Sequence, residues 1–136
     1  MRFVKLSEEE VKNVSQFYQN MIGDAREILL YLSGKAVGEK ISEHISDEEP
    51  LKRAGNMIKG RGWTEEITLE KERAVANGSI EIDKSLDRPS CNMIRGILCG
   101  VYEKTTGEII EVDEVRCESL NDENCEFKIK KKEFEG

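Results

Sequence analysis

The sequence predicts an α+β fold, in which N-terminal helices pack on an antiparallel sheet of two hairpins with a helix between them. Three observations carry this reading. Apolar residues step by three and four up to about residue 60, they alternate in short runs after Trp63, and a helical stretch between Pro89 and Gly107 separates two pairs of such runs. At 136 residues the chain suits one domain, 1–136, with a core large enough to form without disulfides. Hydrophobic residues make up 38% and charged residues 36%, the balance of a globular chain.

Ser7-x-x-Glu10 is a capping box that opens a first helix, whose apolar positions Val11, Val14, Tyr18, Met21 and Ile22 lead to a stop near Gly23. Asp24-x-x-Glu27 reads as a second capping box. It opens a longer helix to about Ser46, with Ala25, Leu29, Leu32, Ala36, Val37, Ile41 and Ile45 as its apolar stripe. Gly34 and Gly38 weaken this helix and imply a close neighbour, in the core more readily than at a dimer face. A third helix runs from about Asp47, with Pro50 in its first turn, to Lys59-Gly60. Ile67, Leu69 and Val75, then Ile80 and Ile82 beyond Asn77-Gly78, read as a hairpin whose two-residue turn needs positive φ at both positions. Pro89 introduces a helix from about Ser90 to Thr106, and Gly107 ends it. Two strands follow, roughly Glu108 to Cys117 and Cys125 to Lys131, joined by a polar loop.

The net charge of -7 and a pI near 4.9 argue against a nucleic-acid partner, because affinity for phosphates comes from clustered Lys and Arg. The run Lys128-Ile-Lys130-Lys131-Lys132 alternates like an outward-facing strand edge that resists aggregation. No apolar run approaches the roughly 20 residues needed to span a bilayer, and Met1-Arg-Phe-Val-Lys-Leu is too short for a signal sequence. A cytoplasmic location with no membrane partner is expected. In that reducing compartment the four cysteines read as ligands or free thiols more readily than as disulfides.

Cysteines at 91, 117 and 125 with Glu114 form the constellation that carries chemistry. Cys91 and Cys99 on one helix stand about 12 Å apart along its axis and cannot serve one ion. Cys91 falls in the first turn, while Cys99, among Ile97, Leu98 and Val101, reads as a core thiol. Cys117 and Cys125 bracket a loop in which Asn121 can take the left-handed conformation. Residues three apart on a regular strand face opposite ways, so Glu114 and Cys117 share an ion only if the strand bulges between them. A solvated carboxylate is the competing reading of Glu114, and one disulfide with free thiols that of the cysteines.

Arg88-Pro-Ser-Cys91-Asn-Met-Ile-Arg-Gly96-Ile-Leu-Cys-Gly100, then Glu114-x-x-Cys117 and Asn121-Asp122-x-x-Cys125-x-Phe127, resembles the V4R (4-vinyl reductase) domain family. The resemblance is strong over residues 79–132 and looser over 20–78, and it departs at Asn121, where the family usually has Gly. It implies a fold similar to haem-nitric-oxide sensor domains and to subunits of the TRAPP tethering complex. It also implies a structural zinc on Cys91, Glu114, Cys117 and Cys125, and an enclosed small hydrophobic or aromatic ligand.

With four protein ligands such a zinc has no position for water and braces the fold without catalysing. His44 is the only histidine, and no Gly-rich nucleotide fingerprint links a strand to a helix, so no catalytic residue is expected. The leading reading is a cytoplasmic zinc-binding sensor domain for a small hydrophobic molecule. Phe17, Tyr31 and Trp63 are its pocket candidates, with plain core packing as their competing role. A homodimer is expected through the helices, at Gly34, Gly38 and the stripe from Val11 to Ile45. The alternatives are an enzyme or accessory factor in tetrapyrrole vinyl reduction, and a dimeric adaptor without ligand.

Overall fold

The computed structural model describes residues 1–133. Its elements are α1 (Glu8–Ile22), α2 (Ala25–Ser42), α3 (Pro50–Gly60), β1 (Glu66–Leu69), β2 (Arg73–Asn77), α4 (Asn92–Thr106), β3 (Ile110–Arg116), a short 3-10 turn (Glu118–Leu120) and β4 (Cys125–Lys131). The four strands form one antiparallel sheet in the order β1-β2-β4-β3. This is the predicted α+β arrangement, two hairpins joined through β2 and β4.

One sheet face carries Ala74, Ala76, Ile110, Val112, Phe127 and Ile129 into the core, and α4 covers it. Helix α2 packs on α4 backbone to backbone. A Cβ on Gly34 or Gly38 would collide with the carbonyls of Met93 or Ile97, and one on Gly96 with the carbonyl of Tyr31. The glycines of both helices therefore serve an intramolecular contact. The expectation of a dimer surface at Gly34 and Gly38 is corrected on that ground.

Several local readings also change. The buried positions of α2 are Arg26, Leu30, Gly34, Gly38 and Ile41, whereas Leu29 and Leu32 of the predicted stripe are exposed. Glycines hide a buried stripe because they carry no apolar side chain to count. Ser7 and Glu10 form the expected capping box, but Asp24 is itself helical (φ -65°, ψ -17°) and makes no cap, turning to Arg88 at 3.3 Å. Helix α2 stops at Ser42 and α3 begins at Pro50, each short of the expected bound.

The first hairpin turns at Glu70-Lys71-Glu72, not at Asn77-Gly78. Asn77 stays in β2 opposite Glu66, and of that pair only Gly78 has positive φ, at 65°. A two-residue turn of the required type needs both. Residues 79–90 leave the sheet. The lysines on β4 do point outward, but β4 lies between β2 and β3 and is no edge. Lys130 pairs with Asp113 at 3.0 Å across the ladder.

Gly96→Ala should destabilise the fold by more than about 3 kcal/mol, the upper end of over-packing costs, because backbone stands where the methyl would go. Gly60→Ala, with open space around it, should be neutral or stabilising by up to about 1 kcal/mol. Chemical denaturation of the two variants checks the contrast.

Candidate metal centre

Four ligand atoms, from Cys91, Glu114, Cys117 and Cys125, all lie within 4.8 Å of one another. Each arrives by a separate local device. Cys91 is the N-cap residue of α4, fully buried, and its Sγ is 3.7 Å from Cys125 Sγ. Cys125 opens β4 opposite Ala76. Cys117 follows β3, and its peptide N–H donates to Asp122 Oδ2 at 2.9 Å while its carbonyl accepts from Leu120 N and Asp122 N. Asn121 closes that turn in the left-handed region (φ 67°), the conformation expected of it.

Glu114 meets the condition that the sequence sets for it. The register of β3 against β4 shifts between Glu114 and Arg116, so the strand bulges and Glu114 shares the core side with Cys117. Its Oε1 accepts from Cys91 N at 3.0 Å, while its Oε2 is buried with no hydrogen-bond partner. A buried, unpaired carboxylate oxygen costs free energy unless something binds it.

All four cysteines are free thiols. Ligands about 2.3 Å from one ion at tetrahedral corners stand about 3.8 Å apart, close to the 3.7 Å between Cys91 Sγ and Cys125 Sγ. Charge points the same way. Hydrogen bonds from its neighbours hold the Cys117 thiol far below its usual range, and those same bonds push Cys91 and Cys125 upward. Burial, with the Cys117 thiolate beside it, pushes Glu114 up to about 8. A divalent cation bound among the four residues would favour the deprotonated form of each. The four residues could hold a metal ion.

Ser79, Ser90 and Ser119 surround the cluster, a shell that the sequence did not flag. Ser79 Oγ lies 3.3 Å from Cys91 Sγ, Ser90 Oγ 3.7 Å from Cys117 Sγ, and Ser90 and Ser119 are joined at 2.6 Å. Cys99 stands apart, buried, its thiol donating to Ile110 O at 3.3 Å, and burial raises its pKa. His44 is exposed on the turn after α2.

Beside the cluster lies a cavity of about 300 Å³ between α1, α2, the segment after β2 and the start of α4. Trp63, Leu30, Ile80 and Leu86 line it with Arg26, Glu81 and Ser90. Phe17 does not; it is 64% exposed on α1. Nor does Tyr31, which lies under the Arg95 guanidinium, 4.3 Å from its ring centre. Of the three predicted pocket aromatics, only Trp63 faces the cavity. Glu81 was unforeseen, and it caps α4 by accepting from Met93 N at 2.7 Å and Ile94 N at 3.0 Å. Burial pushes its carboxyl up to about 7.

Residues 76–131 match the family model described as V4R domain. No curated protein matches the chain. Among solved structures, the chain is similar to the phenol-responsive sensory domain of the transcription activator PoxR with phenol, at TM-score 0.82 and 15% identity over 96% of this chain and 77% of that one. It is also similar to a vinyl-4-reductase family protein from Methanocaldococcus jannaschii, at TM-score 0.70 and 17% identity over 97% and 85% of the two chains. A trafficking protein particle complex subunit 3 from Naegleria fowleri, covalently bound to palmitic acid, matches at TM-score 0.61 and 17% identity over 93% and 95%. At these identities the likeness is one of fold.

Cys125→Ala should abolish metal retention, Glu114→Ala should weaken it less, and Cys99→Ala should keep full metal content at a stability cost of about 1 kcal/mol. Elemental analysis of protein purified without added metal, beside thermal melts, measures all three.

Proposed function

We propose, with the V4R match over residues 76–131 as premise, that this chain is a sensor domain whose cavity takes a small hydrophobic molecule and whose Cys91, Glu114, Cys117 and Cys125 hold a structural zinc. The observation that carries the reading is the shared wall between the cluster and the cavity. Ser90 lines the cavity and bonds Ser119, whose Oγ also accepts from Asp83 N at 2.9 Å. Glu81, another cavity residue, caps the helix that begins beside Cys91. A zinc on the four ligands would supply cross-linking charge only, since protein fills its coordination positions. Its effect reaches the cavity through residues 79–90, which have no strand or helix of their own to hold them.

Apolar walls with a few polar groups suit a small ligand, and roughly 150 Å³ suffices for benzene, so about 300 Å³ takes one substituted ring or a short chain. The solved relatives that carry phenol or palmitic acid support a ligand of that class. Helix α1 covers the cavity with Val11, Val14, Ser15 and Tyr18, yet none of its residues is buried. A bound ligand supplies the missing contacts, so α1 is the element whose order reports occupancy.

The outer sides of α1 and α2 expose Phe17, Met21, Ile28, Leu29 and Leu32, an apolar surface that supports a homodimer through the helices. No helix among the described residues is long and apolar enough to cross a membrane, and a thiolate cluster suits the reducing cytoplasm.

Substituted phenols or medium-chain fatty acids should quench Trp63 fluorescence, raise the melting temperature and slow amide exchange in α1. Stripping the zinc with a chelator should weaken that binding at least tenfold. Unchanged exchange across α1 at saturating ligand would remove the sensor reading, and absence of any binding would favour an adaptor. Light scattering should give a dimer at micromolar concentration, and the double change Phe17→Glu with Met21→Glu should give a monomer that keeps its zinc.

A further inference from the structure

The cavity holds one feature that a purely apolar ligand does not explain. Arg26 lines it, only 8% exposed, on the buried side of α2 one turn before Leu30 and two before Gly34. Among the described residues its guanidinium makes one hydrogen bond, to another cavity residue, Ser15, whose Oγ accepts from Arg26 Nη1 at 3.5 Å. A guanidinium carries five N–H donors in a planar fork and cannot shed its charge. Burying it with a single long hydrogen bond leaves most of those donors without a protein acceptor.

No acid among the described residues forms a direct ion pair with it. Glu81 uses both carboxylate oxygens on the first peptide N–H groups of α4. Asp83, also on the cavity wall, takes Ser85 N and Ser85 Oγ on one oxygen; these bonds first, then the nearby charges of Lys12 and Arg26, hold its pKa low, so it meets Arg26 through space and without a direct ion pair. Asp24 and Glu27, the neighbours of Arg26 on α2, both turn to Arg88, at 3.3 and 3.1 Å. Lys12, which also lines the cavity, adds a second positive charge at its mouth. The site therefore offers apolar walls, Trp63 and Leu30 among them, around a buried guanidinium that has no direct carboxylate partner.

We infer that the cavity selects an amphiphilic carboxylate, with its anionic head paired to Arg26 and its apolar tail against Trp63 and Leu30. This inference rests on the ligand-binding reading of the cavity and narrows it from any small hydrophobe to a monoanionic acid. A planar carboxylate matches the guanidinium fork with two parallel hydrogen bonds, and the surrounding low dielectric strengthens them. A neutral alcohol of the same length leaves the guanidinium desolvated and unmatched, the condition under which a buried polar site discriminates most sharply.

Titration calorimetry with two matched pairs, octanoate against 1-octanol and phenylacetate against 2-phenylethanol, tests this on the zinc-loaded full chain. Each acid should bind at least tenfold tighter than its alcohol. Arg26→Met should lower acid affinity at least tenfold and leave alcohol affinity within twofold, while Arg26→Lys should keep part of the preference. Acetate should bind more than a hundredfold more weakly than octanoate, since it has no tail for the walls. If cavity water alone solvates Arg26, acid and alcohol bind wild type equally, and that result overturns the inference while leaving the ligand-binding reading intact. If neither member of either pair binds, both fall. The wild-type acid-to-alcohol ratio decides the matter even if Arg26→Met fails to fold.

Discussion

The backbone contact between α2 and α4 is the constraint from which the rest of the structure follows. Gly34 and Gly38 on one helix and Gly96 and Gly100 on the other bring main chains to a separation that no side chain would permit. Helix α4 is thereby held between α2 and the sheet, and its first residues come to lie over the end where β3 and β4 meet. Cys91 is placed by this arrangement, as is the cavity, because α2 delivers Arg26 and Leu30 along the same stripe that delivers Gly34. Glycine costs each helix about 1 kcal/mol per residue in propensity. Close packing of the two helices has to offset that cost, so both the cysteine–glutamate cluster and the cavity depend on it.

The second constraint is the bulge in β3. Without the register shift between Glu114 and Arg116, Glu114 and Cys117 would face opposite sides of the sheet and no four-ligand cluster could form. Two peptide donors then refine the site: Cys91 N fixes one oxygen of Glu114, and Glu118 N points to Cys125 Sγ at 3.4 Å. Backbone bonds to ligand atoms orient them and favour their charged forms. They do so from elements that are themselves anchored, since Glu118 Oε1 accepts from Gly78 N at the end of β2. The cluster consequently ties the end of β2, the start of α4 and the end of β3 at one corner of the fold.

Much of this was legible in the sequence, and the failures share a physical cause. Helices with a clear cap or stop were read to within a few residues, as was β4, because Ser7, Pro50 and Gly107 act locally; the four residues that the family resemblance implies as ligands do come together in one cluster. What escaped depended on tertiary partners. Asp24 has the composition of a cap but is drawn to Arg88, which lies far along the chain. Asn77-Gly78 has the composition of a hairpin turn, but pairing with Glu66 keeps Asn77 extended. The α2 stripe differs from the predicted one because its buried face is built largely from glycine, and Arg26 on that face was not singled out. A charged residue spaced four and eight before Leu30 and Gly34 was the available signal, visible only once the glycines count as buried positions.

Helix α1 is the part whose stability the fold leaves most open. At 15 residues it is near the length at which an isolated helix is marginal in water, and its capping box contributes about 1 kcal/mol. Its remaining support is contact with α2 and the rim of the cavity, with no residue fully removed from solvent. Each 100 Å² of apolar surface that a cavity occupant covers adds roughly 2.5 kcal/mol at the usual area coefficient, more than the capping box contributes. The glycine-packed helices and the corner built around Cys91, Glu114, Cys117 and Cys125 do not line the cavity through α1 and have no such dependence on an occupant. In the proposed sensor reading, a rigid floor beneath a loosely held roof is the division of stability that would turn binding into a change of state, with the apolar outer face of that roof as the surface placed to pass it on.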